Sequence, residues 1–416
     1  MISKFKVLIV VLAFLLCSNL LAIEINKEFK TNVTTDIPEN RVIRINSNID
    51  LHGGQLVIPH KTLIVFESDG LFSNGTIVGN ETSIVWSNNN IFDNVCIKGT
   101  WKVPLISSKM FKTLSYVNSL NDILALSDDD IHNTIILDNE LYLLAPIPGQ
   151  LASAKLKSNT VLINNGVIKV LPNDLERHYA LWCDGISNVI ISGGVIQGDR
   201  VSHEGTSGEW GYGICATRTK NLNIENMEIY DCWGDCICLG VDNENVIITN
   251  CKLHDSRRQG ITIAGKYNIN VNNCLIYNIH GTEPQSAIDI EPDQNGSVSN
   301  VVIDQVSIIN CKVGVQVYGG AKNVNINNVS INNVQVNPGY RSTWAFYIAF
   351  SDSVTINNCT VNSPKTNGIK IENCSGNIHL INNNINTGYL KLAIKNVGLQ
   401  SVVSKGNNFQ GKVENL

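Results

Sequence analysis

A small residue followed by an apolar–x–apolar triplet recurs down the second half of this chain. It appears as GICA from Gly213, CICL from Cys236, GITI from Gly260, AIDI from Ala287, GVQV from Gly314, AFYI from Ala345 and GIKI from Gly368. The first apolar positions, Ile214, Ile237, Ile261, Ile288, Val315, Phe346 and Ile369, are 23, 24, 27, 27, 31 and 23 residues apart. A second column keeps step with it in LNIENMEI, VIITNCKL, INVNNCLI, VVIDQVSI, VNINNVSI and VTINNCTV, marked by Met227, Cys251, Cys274, Val306, Val329 and Cys359. Alternation with period two is the signature of strands. Asn and Gly crowd the junctions, where turns with positive φ are needed. Short strands turning alike at a near-fixed period stack at about 4.8 Å and bury one continuous core. The repeat therefore predicts an all-β parallel solenoid, with coils long enough for three sheets and stacked-amide turns.

The repeat is clear from about Asn159 onward. SLNDILAL, within residues 116–133, is the one plausible helix, and its place before the first coils predicts an N-terminal cap. Residues 23–110 are strand-like, with turn signals (HGG, SDG, SNG, VGN) but without the later template. The expected organisation is a signal peptide over 1–22, an N-terminal β region over 23–110 and a parallel β-helix domain over 111–416.

The leader expectation rests on Lys4 and Lys6, the apolar run Val7–Leu16 and a small residue at Ala22. Lipidation at Cys17 is the rival, against which stands Leu16 where a small residue is the norm. Either way the protein is expected to be secreted, periplasmic or on the cell surface, with no integral membrane segment once the leader is removed. The chain has 31 basic and 36 acidic residues, and two of its lysines leave with the leader. An acidic balance with 6% aromatics argues against nucleic-acid binding. Export suggests disulfides. Cys251, Cys274 and Cys359, however, share one repeated apolar position and read as stacked core thiols. Cys236 and Cys238 lack metal-ligand spacing, so no structural zinc is expected.

The middle residue of each triplet points outward: Cys215, Cys238, Thr262, Asp289, Gln316, Tyr347 and Lys370. Two positions further on stand Thr217, Gly240, Ala264, Glu291 and Tyr318. IDIE thus sets Asp289 and Glu291 side by side, roughly 6.5–7 Å apart by strand rise. That is near the separation used by inverting glycosidases, although two solvated acids or ligands of a calcium ion would also fit. Arg257 and Arg258, at the turn of the preceding coil, are placed to grip a sugar carboxylate or simply to neutralise these acids. Asp235 occupies a position where the other coils carry Tyr212, Gln259, Ser286, Val313, Trp344 and Asn367, so the turn does not demand an acid. Asp231 and Asp255, by contrast, align with Asn278, Asn310 and Asn333 as a structural turn ladder. The insertion Gly198–Trp210 gathers Asp199, Arg200, His203, Glu204, Glu209 and Trp210 beside the same coils. It is either a binding loop or an Ω-loop satisfied internally. Catalytic candidates are Asp235, Asp289, Glu291 and Glu209. Substrate-binding candidates are Arg257, Arg258, Gln259, Asp199, Arg200, His203, Trp210 and Tyr318, and no metal ligands are assigned.

GDCI from Gly234 and RQGI from Arg258 resemble motifs of the polygalacturonases, which cleave pectin by inversion. Asp235 matches one acid of that family, while Gly234, Gln259 and Tyr212 stand where a second acid, a histidine and a third acid belong. GTIVGN, GDRVSH, GEWGYGI, RRQGITI and GTEPQSAIDIEP together resemble exported bacterial β-helix proteins of the pectate-lyase-like superfamily. That resemblance implies a right-handed parallel β-helix and, by association, carbohydrate activity.

Three functions follow as expectations. The first is a glycoside hydrolase acting on a polysaccharide or oligosaccharide, without cofactor, through one carboxylate from Asp289 or Glu291 and another from Asp235 or Glu209. The second is a lyase or epimerase for uronic acids, the one case in which calcium would enter, held by Asp289 and Glu291 with Arg258 as base or partner. The third is a non-catalytic carbohydrate binder, against which the gathering of charge on a few adjacent coils argues.

Overall fold

The computed structural model describes residues 23–25, 39–293, 297–327, 329–332, 343–395, 402–409 and 413–415. The expected leader with Cys17, and Asn333 of the turn ladder, lie outside them. The chain divides into two compact units. One comprises Met1–Val103, Lys109–Thr113 and Ala125–Asp128, and the other Pro104–Ser108, Leu114–Leu124 and Asp129–Leu416. The first carries a seven-stranded parallel sheet assembly, cored by Ile43, Ile64, Phe72, Ile77 and Trp101.

The second unit is a parallel β-helix with three long sheets of 11, 11 and 12 strands. The predicted first column is present rung by rung. Ile214, Ile237, Ile261, Ile288, Val315, Phe346 and Ile369 pair in register, and each is fully buried. Every such aliphatic side chain contributes roughly 1.5–3 kcal/mol of burial. The coil count, more than any single contact, sustains the core. The predicted helix forms over Ser119–Ala125. It is tied to the first coils by the Asn118 N–H donating to Leu143 O and by Asn121 Nδ2 donating to Ser153 O.

The second column resolves differently from a single strand. LNIENMEI is two strands, Lys220–Glu225 and Glu228–Tyr230, which join different sheets. Asn226 adopts φ 57° between them, and Met227 then turns into the core. Asn250–Cys251, Asn273–Cys274 and Asn358–Cys359 repeat the device, with Cys251, Cys274 and Cys359 buried as expected and their thiols donating to backbone carbonyls. Asparagine recurs there because its short amide tolerates the left-handed region and bonds to its neighbours.

Amide stacking is explicit at another corner. Asn188, Asn221, Asn245, Asn268, Asn300 and Asn323 each donate Nδ2–H to the side-chain oxygen one coil earlier. Asn278 donates to Asp255 and Asn310 to Asn278, so Asp255 is a ladder residue as expected, and Asp231 shares its positive φ. Asn245→Ala should destabilise the protein by about 1–2 kcal/mol, because it loses two amide bonds and strains φ 58°. Asn245→Gly should cost less by relieving the strain, and urea midpoints would rank the two.

Candidate active site

Five strands of one sheet frame the site: β1 (Trp210–Thr217), β2 (Asp235–Leu239), β3 (Gln259–Ile263), β4 (Ser286–Ile290) and β5 (Val313–Val317). Inward residues fix the register, so the outward column Cys215, Cys238, Thr262, Asp289, Gln316 and Tyr347 forms as predicted. Asp235 pairs with Gln259 at the first position of their strands. The expected outer wall is therefore real, but it is not bare. Asp235 is 0% exposed and Asp289 1%, whereas Glu291 is half-buried. Asp289 and Glu291 share the outer face as the alternation predicts, but the alternative of two solvated acids fails for Asp289. Instead, long side chains from the preceding turn cover the wall.

Arg258 is the centre of that cover. Its Nη1 lies 3.3 Å from Asp235 Oδ2 and its Nε 3.6 Å from Glu209 Oε2, with 19% of the side chain exposed. Beneath it, Thr262 Oγ1 is 2.7 Å from Asp235 Oδ2 and 2.8 Å from Gln259 Oε1, and Gln259 Nε2 is 2.9 Å from Asp289 Oδ2. Gln259 is fully buried. Asp289 Oδ1 is also buried and finds no donor among the described residues. The two carboxyls are thus joined through two neutral side chains and share the field of one guanidinium.

Burial dominates their proton affinity. It pushes Asp289 up to about 7, assisted by Glu291 and Asp235 and opposed by Arg258 and the Gln259 amide. It pushes Asp235 up to about 6, with Arg258 and Thr262 holding it back and Glu209 adding to the rise. Burial also raises Glu291, against Arg258. Burial works against the charge of Arg258, and Asp235, Tyr212, Glu209 and Asp289 more than offset it, so its proton is held more firmly than usual.

Gly234 explains one departure from the polygalacturonase pattern. A Cβ there would lie 2.5 Å from the Glu209 carbonyl oxygen and 2.9 Å from the Gly211 nitrogen, so no second acid fits before Asp235. Tyr212 is held in a buried cluster with Tyr179, Cys215 and Cys238, its ring stacked 5.2 Å from Tyr179. Trp210 packs on that cluster under the Arg177 guanidinium. On the other side of the acids, Tyr318 meets Tyr347 and the exposed Phe350 at centroid distances of 6.3 and 5.3 Å.

The other loop candidates converge on one another. Asp199, 1% exposed, accepts hydrogen bonds from Asn173 Nδ2 at 2.6 Å and pairs with His178 Nε2 at 3.1 Å and His203 Nδ1 at 2.7 Å. His203 stacks on Trp233 at 3.9 Å, and the Arg257 guanidinium lies 3.8 Å over the opposite partner of that stack, Trp233. Arg257 also donates to Gly208 O. Arg200 donates to Asp255 O and contacts His280 Nδ1. These contacts pin the Gly198–Trp210 insertion, and the Arg257 guanidinium rests on Trp233 and the Gly208 carbonyl within the field of Glu209. Asp199→Ala should unfasten the loop and speed protease cleavage near Val201, which is 83% exposed, and timed limited proteolysis would detect it. Thr262 is the participant that sequence reasoning passed over. Its outward position one rung before Asp289 was the available signal.

Residues 127–290 match the family model described as a right-handed beta helix region, and the chain is a right-handed parallel β-helix. It is similar to the uncharacterized protein YclG of Bacillus subtilis (strain 168), 33% identical over 178 residues that cover 38% of this chain and 30% of that protein. It also resembles the SPbeta prophage-derived uncharacterized protein YorA of the same organism, 31% identical over 160 residues covering 33% of this chain and 27% of that one. The chain thus spans less than a third of the length of the curated relatives it matches. Among solved structures it is similar to endo-xylogalacturonan hydrolase from Aspergillus tubingensis, with 10% identity, TM-score 0.48 and coverage of 74% of this chain and 100% of that one. It is also similar to the A-module of a mannuronan C-5 epimerase from Azotobacter vinelandii, with 14% identity, TM-score 0.40 and coverage of 70% and 93%. No helix among the described residues is long and apolar enough to cross a membrane.

Proposed function

We propose that this right-handed parallel β-helix is an exported glycoside hydrolase acting on a polysaccharide, with Asp289 as proton donor and Asp235 as its partner carboxylate. One observation carries the reading: two buried carboxyls on one wall, joined through Gln259 and Thr262, have proton affinities raised to about 7 and about 6. A carboxyl near 7 stays half protonated at neutral pH, as an acid that must protonate a leaving oxygen requires. In the step envisaged, the Asp289 proton passes to the glycosidic oxygen as the C–O bond breaks. A water oxygen bonds the anomeric carbon and gives its proton to Asp235. Arg258 keeps its place between Asp235 and Glu209, and Glu209 and Glu291, nearer solvent, hold sugar hydroxyls. Trp210 on one side and Tyr318, Tyr347 and Phe350 on the other offer faces for sugar rings.

Hydrolysis is preferred to elimination because of Arg258. A lyase needs a cation free to neutralise a uronate, and this guanidinium is already shared by Asp235 and Glu209. Incubation with a panel of polysaccharides followed by mass analysis should show products heavier by one water, formed undiminished in EDTA. An unsaturated, ultraviolet-absorbing product that depends on calcium would overturn hydrolysis in favour of the lyase.

A further inference from the structure

The hydrogen bonds between Asp235 and Asp289 can be counted, and the count fixes their protonation. A threonine hydroxyl has one hydrogen, and an amide offers two donors at its nitrogen and none at its oxygen. Thr262 Oγ1 lies within 2.8 Å of two acceptors, Asp235 Oδ2 and Gln259 Oε1, and can donate to only one. If it donates to Gln259, the 2.7 Å contact with Asp235 requires a proton on Asp235. If it donates to Asp235, the amide must turn over and present its nitrogen to Thr262. Its oxygen then faces Asp289 Oδ2 at 2.9 Å, and that contact requires a proton on Asp289. In neither orientation can both carboxyls be ionised without two oxygens meeting at hydrogen-bond distance with no hydrogen between them.

We infer that Asp235 and Asp289 hold one proton between them, bound at Asp289, and that Thr262 and Gln259 are the positioning residues that impose this count. Two observations choose the Asp289 end. Arg258 stands against Asp235, where it favours the charged form, and Asp289 Oδ1 is buried without a donor, where a full negative charge is costly. The other titratable groups facing the pair are Glu209, Tyr212 and Cys238 around Asp235, and Glu291 beside Asp289, itself backed by Asp293. Of these, the acids add to the pressure against a second ionisation. This deepens the hydrolase reading, since it names which acid is armed in the resting protein, but the proton count itself does not depend on turnover.

Infrared spectra of the whole chain at pH 6.5, between the affinities of about 6 and about 7 and well above the range where ordinary carboxyls ionise, test the count directly. Wild type should show one buried protonated-carboxyl band. Asp289→Asn and Asp235→Asn should each lack it, because an amide at either end supplies the missing hydrogen and leaves the other acid ionised. Thr262→Val should shift the pH at which the band fades by ~1 unit, and Thr262→Ser should leave it in place. No band in wild type, or a band surviving in both Asn variants, would overturn the inference. A protein inert on every glycan that still shows the band would sink the hydrolase reading and keep the shared proton. Turnover without the band would do the reverse.

Discussion

Asp289→Asn is expected to lower kcat by about 10³-fold with little change in KM, since general-acid catalysis contributes roughly 10²–10⁴-fold. The substituted amide keeps the shape of the side chain and can still bond Gln259, so the fold should survive. Stability gives an independent check with the opposite sign. In the wild type the folded carboxyl, near 7, lies above the roughly 3.9 of an unfolded aspartate. Its stabilising contribution is complete below that lower value and is lost as pH climbs through about 7. The Asn variant has no such dependence. It should therefore gain on wild type between pH 4 and pH 8, by an amount on the order of a few kcal/mol at the alkaline end. Urea unfolding at both ends of that range measures it. A variant that is inactive yet loses stability relative to wild type as pH rises would mean that Asp289 is an ordinary structural carboxylate.

Arg258→Ala should be the most damaging single change to the site's structure. It leaves Asp235, 0% exposed, with Thr262 alone to answer its charge. Removing one partner of a buried ion pair costs about 3–5 kcal/mol, mostly because the survivor is stranded. Loss of the guanidinium lets the Asp235 proton affinity climb further above its already raised value, so the variant can escape by binding a proton. The penalty should accordingly be smaller at pH 5 than at pH 8. Combining it with Asp235→Asn, which strands nothing, should recover much of the loss at pH 8. A pH-independent penalty, or a double variant no better than the single one, would show that Arg258 acts by packing and not by charge.

The chain's own repeat determined the coil. Ile214 through Ile369 recur at intervals that only stacked strands can use, and period-two burial is a local property that survives being read in one dimension. The same alternation assigned Thr262 and Asp289 to one outer wall, because parity decides which side of a strand a residue faces. Asp235 shares the parity of the buried Ile237, so its place beside Thr262 and Arg258 was decided by the fold at the turn. What lies over that wall was decided by tertiary structure. Arg258 folds back from its turn across Asp235 and Glu209, and Gln259 reaches a full coil forward to Asp289. Long side chains bend freely about several bonds, so neither reach is written in spacing. The Gly198–Trp210 loop shows the same limit. Its charges looked alike in sequence, yet Asp199 and His203 close on His178 and Trp233 whereas Glu209 alone joins Arg258. Pairing among charged groups depends on which neighbours remove water from around them, and that becomes defined only once distant coils have stacked.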